Sequence, residues 1–431
     1  MKSEVVELET WKRKLSVEVP EEEVQPFLEQ AYRTFQQKTQ VPGFRKGKTP
    51  MSIIRQRFTQ EVEAEASDEI IHHFFAEAVR EHGMPIVAPG SILEFKFKAG
   101  EPFTFTAEVQ VEPEIQVKHY KGIKFEKEIV GITDEDIRRA MDEIRYQHSE
   151  LRDTENGAAD GDVIEGAIQA LDPTGVPIIG QKWEDRAVEL GRPPLGDLLA
   201  QQMVGVKGGE QRAFRLPKQG GAGKEPAAEE QHYLFLVKTV KARIYPAWDG
   251  EFLKKLGEFQ TVSDLEKRIR ENLEAAASEE ASRLLRDRMA DEIVKRNDFE
   301  LPPAMVDSVV SGMWEKESVR NASGLDENAY KQKSRPLAVW SLKWEMIWNK
   351  IAEIEKIAVT EQDLDSEIEA LAKANEKEEK KIRVLFQDPA QRQRVKERLL
   401  LGRVMAFLEE SNKIKEVTVK RRQDRPSSLI V

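Results

Sequence analysis

A chain of 431 residues is too long for one compact core and predicts two to three domains; with 39% hydrophobic and 34% charged residues, it points to thin, helix-rich domains rather than one compact enzyme. No cysteine occurs, which excludes disulfides, thiolate metal sites and cysteine nucleophiles. The net charge of -11 argues against wholesale coating of nucleic acid, yet residues 30–60 hold seven cations (Arg33, Lys38, Arg45, Lys46, Lys48, Arg55, Arg57) and no acid.

From the N-terminus, MKSEVVELETWKRKLSVEVP lacks the apolar centre of a signal peptide. No later run approaches the roughly 18 apolar residues that a spanning helix needs, so a soluble cytoplasmic protein with no membrane partner is expected. Within that stretch KLSVEVP alternates as a strand does and stops at Pro20. The next segment, EEEVQPFLEQAYRTFQQKT, has Val24, Phe27, Leu28, Ala31 and Phe35 at helical spacing and acids in its first turn. Residues 40–50, QVPGFRKGKTP, then form a short loop fenced by Pro42 and Pro50. Gly43 permits a sharp turn, and Phe44 beside Arg45, Lys46 and Lys48 suits a surface that offers both an apolar pocket and anions, as RNA with its bound proteins does. A solvated basic turn with Phe44 tucked inward fits the same residues. A second helix is expected from about Met51 to His82, followed by a hairpin of ILEFKFKAG and FTFTAEVQVEPEI.

Residues 1–112 thus make a small α+β domain, and 113–150 form an extended connector leading into a helix capped by Thr133 with Asp136. Residues 151–245 are rich in glycine and proline, with short apolar runs (GDVIEGAIQAL, RAVELGRPP, GEQRAFRLP, HYLFLVKTVKARIYP) that predict a β-rich domain; KQGGAGKEPAAEE within it reads as a flexible loop. Residues 246–431 are helical almost throughout. Ser263 with Glu266 suggests a capping box before a stripe of Leu265, Ile269, Leu273, Leu285, Met289 and Ile293. Pro302 and Pro303 start another helix, and more cover about 327–357, 361–380 and 389–412. The end, VTVKRRQDRPSSLIV, reads as a frayed basic tail. The fold class is multidomain α+β: an α+β first domain, a β-rich middle and an all-helical C-terminal part that needs its own helices or the 117–150 segment to cover its apolar faces.

Four of the seven tryptophans lie between 314 and 348. Trp340, Trp344 and Trp348 recur at every fourth position and draw a stripe on one helix. Core packing is the ordinary use of such a stripe. The alternative is a concave surface on which Trp344, Met346 or Trp348 meets unfolded polypeptides, since aromatics and soft Met suit promiscuous apolar contacts. His72 and His73 are adjacent and so point to different helix faces, and there is no Walker loop or dinucleotide fingerprint; no metal, no cofactor and no ATP dependence are expected.

VPGFRKGKTP in an α+β first domain, the EIVGITDEDI connector, the glycine-rich middle, the YPAWDGEFLKKLG re-entry and the helical end together resemble, over essentially the whole chain, the trigger factor family of bacterial ribosome-associated chaperones. The resemblance implies docking through Gly43, Phe44, Arg45, Lys46 and Lys48 on a large-subunit ribosomal protein and rRNA at the exit tunnel. It further implies nascent or unfolded polypeptides as clients of a helical cradle, allows a homodimer off the ribosome, and gives 151–245 a fold like the FK506-binding type of peptidyl-prolyl isomerase. Such a pocket needs several aromatics around the substrate, because catalysis lowers an amide rotation barrier of about 18–20 kcal/mol by desolvation and twisting. Between 151 and 245 only Trp183, Phe214, Tyr233, Phe235 and Tyr245 are aromatic. VIEGAIQAL stands where the family has an aspartate followed by an aromatic, and PPLGDLLAQQ where it has a Pro-Gly-Phe turn. Tyr233 matches a pocket position best and is the one catalytic candidate; Phe235 is expected in the core. A retained scaffold with weak or absent isomerase activity follows as the expectation. Two other readings stay open: an enzyme whose main task is proline isomerisation, and a helical scaffold with an RNA-binding first domain and no chaperone role.

Overall fold

A computed structural model describes residues 1–97, 101–192, 196–217, 230–257, 259–320, 326–374 and 378–420. The chain divides into two compact units, Met1–Lys127 with Ser282–Glu416, and Glu128–Ala281 with the residues from Val417 on. The expected loop at 218–229, the turn at 193–195 and the tail beyond Lys420 lie outside the described residues.

Strands β1 (Lys2–Glu9) and β2 (Lys12–Val19) form an antiparallel hairpin, followed by helices α1 (Glu21–Lys38), α2 (Met51–Arg57) and α3 (Thr59–Glu81), then β3 (Ser91–Lys96) and β4 (Phe103–Gln110). The sheet order is β1-β2-β4-β3. Its central pair is in register with Leu15 opposite Ala107 and Val17 opposite Phe105. The inward residues Leu15, Val17, Val19, Phe103 and Phe105 pack on Ile54, Val62, Ile70 and Phe74 of the helices, so alternation in the strands meets the 3.6-residue stripe of α2 and α3 in one core. The single helix expected over 51–82 is broken at Phe58, whose backbone (φ -126°, ψ 25°) leaves the helical region.

Strand β5 (Lys124–Val130) leads to α4 (Asp134–Gln147). The capping box read from the sequence is present there: the Thr133 hydroxyl accepts from the Asp136 N–H, and the Asp136 carboxylate accepts from the Thr133 N–H at 3.0 Å. Strands β6 (Glu150–Thr154), β7 (Val163–Leu171), β8 (Pro177–Glu189), β9 (Gln211–Pro217) and β10 (Glu230–Ile244) and helix α5 (Gly196–Met203) make up the middle region. The five strands pair in the order β6-β10-β7-β8, with β9 also on β10. Ile164, Leu199, Met203, Phe214, Phe235 and Val237 fill the core. Helix α6 (Gly250–Leu256) and the first half of α7 (Val262–Arg296) pack on α4 through Leu253, Leu265 and Ile269 against Ile137 and Met141. The α7 cap differs from expectation. Thr261 and Asp264, with Asp264 accepting from the Thr261 N–H at 2.9 Å, start the helix two residues before the Ser263–Glu266 pair of the same spacing.

Helices α8 (Pro303–Arg320), α9 (Glu327–Ile354), α10 (Glu361–Ala374), α11 (Glu379–Leu385) and α12 (Pro389–Ser411) follow, and then β11 (Lys413–Val419) pairs with β5. This last strand takes the start of the segment read as a frayed tail. The largest core of the first unit joins Leu285, Met289 and Ile293 of α7, Ile347 and Ile351 of α9 and Val404 and Leu408 of α12 to the extended segment Val117–Phe125. Buried Asn412 fixes that segment. Its amide oxygen accepts from the Ile123 N–H at 2.8 Å, and its NH2 donates to the carbonyls of Tyr120 at 3.0 Å and Leu408 at 2.7 Å, so no polar atom is left unpaired there.

Candidate functional site

The 41–49 loop joins α1 to α2. Val41 and Thr49 are buried at its two ends, and the Gln36 side-chain NH2 donates to the Thr49 carbonyl at 2.6 Å, so both feet are held by the helical layer. Between them run two tight turns: the Phe44 N–H donates to the Val41 carbonyl at 3.0 Å and the Lys48 N–H to the Arg45 carbonyl at 2.9 Å. Gly43 (φ +90°) and Gly47 (φ +76°) occupy left-handed backbone that other residues enter only with strain, which is why the turns need glycine at these points. Arg45, Lys46 and Lys48 are exposed, while Phe44 is half-buried, between the outward and tucked-in alternatives.

Three of the other four cations of the basic run are engaged elsewhere: Arg33 pairs with Glu29 at 3.8 Å, Lys38 with Glu65 at 3.7 Å, and Arg55 lies 4.9 Å over the Tyr32 ring. Arg45, Lys46 and Lys48 have no carboxylate partner among the described residues. The loop therefore presents fixed, uncompensated positive charge around one partly accessible ring.

The tryptophan stripe resolves mainly into core. Trp344 and Trp348 are 9% and 7% exposed and pack with Ile347 and Ile351 of their own helix against α7 and α12. A polypeptide outside the protein cannot meet these two rings without opening that core. Met346, one residue from Ile347 but turned away from it, borders a cavity of about 780 Å³ with Met305, Leu342 and Ile115 as apolar lining and Glu345, Lys350 and Glu353 as charged lining. Met305, Leu342 and Ile115 were missed by sequence reading. Leu342 and Met346 share a helix face at a spacing of four, a signal that the louder tryptophan stripe masked.

In the middle region Tyr233 and Phe235, two positions apart on β10, lie on one side of the strand, and both rings come to Phe214. The Tyr233 ring stacks on Phe214 at 5.2 Å between centroids, with Trp183 at 6.4 Å from Tyr233 and Phe235 at 6.4 Å from Phe214. Register explains the gathering, since Tyr233 of β10 lies directly opposite Phe214 of β9. Phe235 and Phe214 are buried in the core, leaving half-buried Tyr233 and 38% exposed Trp183 as the accessible aromatic surface. Tyr245 stands apart, with the Arg145 guanidinium 5.4 Å over its ring. No helix among the described residues is long and apolar enough to cross a membrane.

Comparison with known proteins follows the same plan. A family model described as bacterial trigger factor protein matches residues 1–144, and one for the trigger factor C-terminus matches 261–410. Among curated relatives, Trigger factor of Natranaerobius thermophilus is 30% identical over 94% of this chain and 95% of its own length. Trigger factor of Halothermothrix orenii is 28% identical over 94% and 98%, and that of Geobacter sulfurreducens 28% over 97% and 100%. A solved structure concerned with promiscuous substrate recognition in folding and assembly by the trigger factor chaperone superposes with a TM-score of 0.57 over 95% of this chain and 99% of its own, at 17% identity, and so shares the fold. With both family models matched and relatives aligned nearly end to end, the chain belongs to the bacterial trigger factor family.

Proposed function

We propose that this trigger factor family chaperone docks on the large ribosomal subunit through Gly43, Phe44, Arg45, Lys46 and Lys48, and shelters emerging apolar segments without ATP. The loop's fixed turns and unpaired cations carry this reading: Phe44 would enter an apolar pocket on a ribosomal protein at the exit tunnel while the cations meet rRNA phosphates. In this reading residues 1–112 dock, 113–150 connect, 151–245 form the isomerase-type domain, and 246–431 hold clients. Met346, with Met305 beside it, gives clients a soft apolar wall that adapts to many sequences. Contact there must be shallow, because tight holding would oppose folding by mass action. The compartment is the cytoplasm, and off the ribosome two copies pair as a homodimer.

The test is cosedimentation with ribosomes at two salt concentrations, comparing the native chain with Phe44→Ala/Arg45→Ala/Lys46→Ala. Binding should weaken with salt and vanish in the triple variant. A native chain that stays in the supernatant, or a variant that still sediments, rejects the docking site.

For the middle region we propose weak isomerase activity at most, with Tyr233 as its remaining pocket residue. Two of the gathered rings are spent on the core, and only Tyr233 and Trp183 are left to flank a substrate. Proline-limited refolding of a model substrate should be accelerated far less than by an intact isomerase of this type; comparable acceleration defeats the proposal.

A further inference from the structure

We infer that the groove between α3 and β3 is a second binding site for unfolded polypeptide, taking an extended apolar segment of neutral or positive charge as a fifth strand of the first sheet. The inference rests on the chaperone reading above but on none of the residues that carry it. In the order β1-β2-β4-β3 the last strand has β4 on one side and no strand among the described residues on the other, so its outer backbone donors and acceptors face outward. All six residues of Ser91–Lys96 are exposed, including the large apolar side chains of Ile92, Leu93 and Phe95.

The groove beside this edge has a volume of about 560 Å³, walled on one side by Asp68, Ile71 and Phe75, which follow one another down a single face of α3. Gly90 belongs to the design: a Cβ there would come 2.7 Å from the Phe75 ring, so only glycine lets that ring form the wall. The strand is bulged as well. Ile92 faces Ala107 and Glu94 faces Thr106, which leaves Leu93 without a partner on β4. Strict alternation would send Ile92 and Leu93 to opposite faces, whereas the bulge lets both border the groove. A helix face running beside a free sheet edge is the arrangement in which peptides add as strands: main-chain hydrogen bonds supply affinity without reading sequence, and apolar pockets take alternate side chains.

Charge selects the occupant. The groove is lined by two carboxylates, Asp68 and Glu94, and by no lysine or arginine, so an acidic segment is repelled and a cationic one favoured. A second copy pairing β3 with β3 would bring the acidic grooves of both copies, each with Asp68 and Glu94, to one seam, which disfavours self-association at this edge.

The experiment uses the full chain and two fluorescein-labelled ten-residue peptides, one alternating Val with Lys and one alternating Val with Glu. Anisotropy should give at least tenfold tighter binding of the Val–Lys peptide, and that peptide should slow amide exchange across residues 91–96. Leu93→Asn/Phe95→Asn should weaken it at least tenfold, as should the milder Ile92→Thr/Phe95→Thr, which keeps strand propensity. Asp68→Lys/Glu94→Lys should reverse the charge preference. Exchange at 91–96 unchanged by peptide, a preference indifferent to the charge swap, or apolar-edge variants that abolish self-association while leaving peptide binding intact would each overturn the site. Ribosome cosedimentation of the same proteins reads the docking loop separately: its failure with peptide binding intact removes the docking proposal and leaves this one standing.

Discussion

At the scale of single residues, Tyr120 shows how a local segment and a distant helix end are joined by one polar contact. Its hydroxyl donates to the Glu355 carboxylate at 2.5 Å, and Lys121 pairs with the same carboxylate at 2.7 Å. Burial, and then the bond to Glu355, push the Tyr120 hydroxyl from its ordinary value of 10.0 up to about 12. The folded state therefore keeps this proton where the unfolded chain has lost it. The stabilisation is complete below pH 10 and disappears as the pH rises through about 12. Alkaline titration of the folded chain, followed by amide exchange at 117–125, should show protection falling across that window. Tyr120→Phe should remove the pH dependence and cost about 1 kcal/mol at neutral pH, the usual worth of one hydrogen bond. A native chain equally protected on both sides of the window would show that the bond does not hold the segment. Nothing in the sequence around Tyr120 indicates Glu355, because side-chain hydrogen bonds across 235 positions leave no periodic trace.

At the scale of elements, the α10–α12 part of the first unit is held differently from the rest. Its apolar core is small, Leu364, Ile368 and Val395 with Phe386 and Leu399 beside them. Around it run ion pairs: Arg392 to Asp365 at 2.8 Å, Arg398 to Glu367 at 2.9 Å, Arg403 to Asp363 at 2.7 Å and Arg383 to Glu369 at 2.8 Å. Single exposed pairs contribute little, but a network on a thin core carries a larger share. The Arg403 guanidinium, aided by Thr360, holds the Asp363 carboxyl well below its ordinary 3.8, and Arg383 holds Glu369 below 4.5. Both depressed carboxyls stabilise the fold above those ordinary values, and the contribution fades as the pH falls through the lower folded-state values. Amide exchange in 361–411 should therefore accelerate below about pH 4, and also at 1 M salt, where the screening length shrinks to about 3 Å. Exchange at 340–351 should change little. Equal acceleration in both regions would mean that the pairs are incidental. The long helices were legible because a buried face repeats every three or four residues. Strands β1 and β11 were not, since KSEVVELE and KIKEVTV lie on surfaces where charged side chains replace the alternation that marks a half-buried strand. The break at Phe58 was equally silent, with no glycine or proline to announce it.

At the scale of the whole molecule, the sequence disclosed that the helices needed one another or the 117–150 segment, but not how that segment is shared. Residues 117–125 complete the core of α7, α9 and α12, whereas Ile137 and Met141 of α4 complete that of α6 and the start of α7. The 41–49 loop was legible because its glycines, prolines and cations are contiguous; the Met346 cavity was not, because its walls come from segments far apart in sequence, and the β3 groove was not, because it forms only where a face of α3 passes the sheet edge. The same holds for the joint between α4 and the middle sheet. There the guanidiniums of Arg192 and Arg243 both lie over the Tyr146 ring, 3.3 Å and 4.2 Å from its centre. Its hydroxyl donates to Glu189 at 2.5 Å, and Glu189 pairs with Arg243 at 3.0 Å, with side chains only 19% and 10% exposed. Three elements, α4, β8 and β10, thus meet in one largely desolvated cluster. Arg243→Met would take the ion-pair partner from Glu189 and leave its charge there with the Tyr146 hydroxyl, which typically costs about 3 kcal/mol or more. Exchange protection in 134–147 and 230–244 should fall by roughly 100-fold, since each 1.4 kcal/mol is a factor of ten, while 340–351 in the other unit keeps its protection. Arg243→Met/Glu189→Met should recover much of the loss, because replacing both charges by apolar side chains removes the penalty that the single change creates. A single variant costing less than about 1 kcal/mol, or a double variant as damaged as the single, would mean that apolar packing of α4 rather than this cluster fixes the joint.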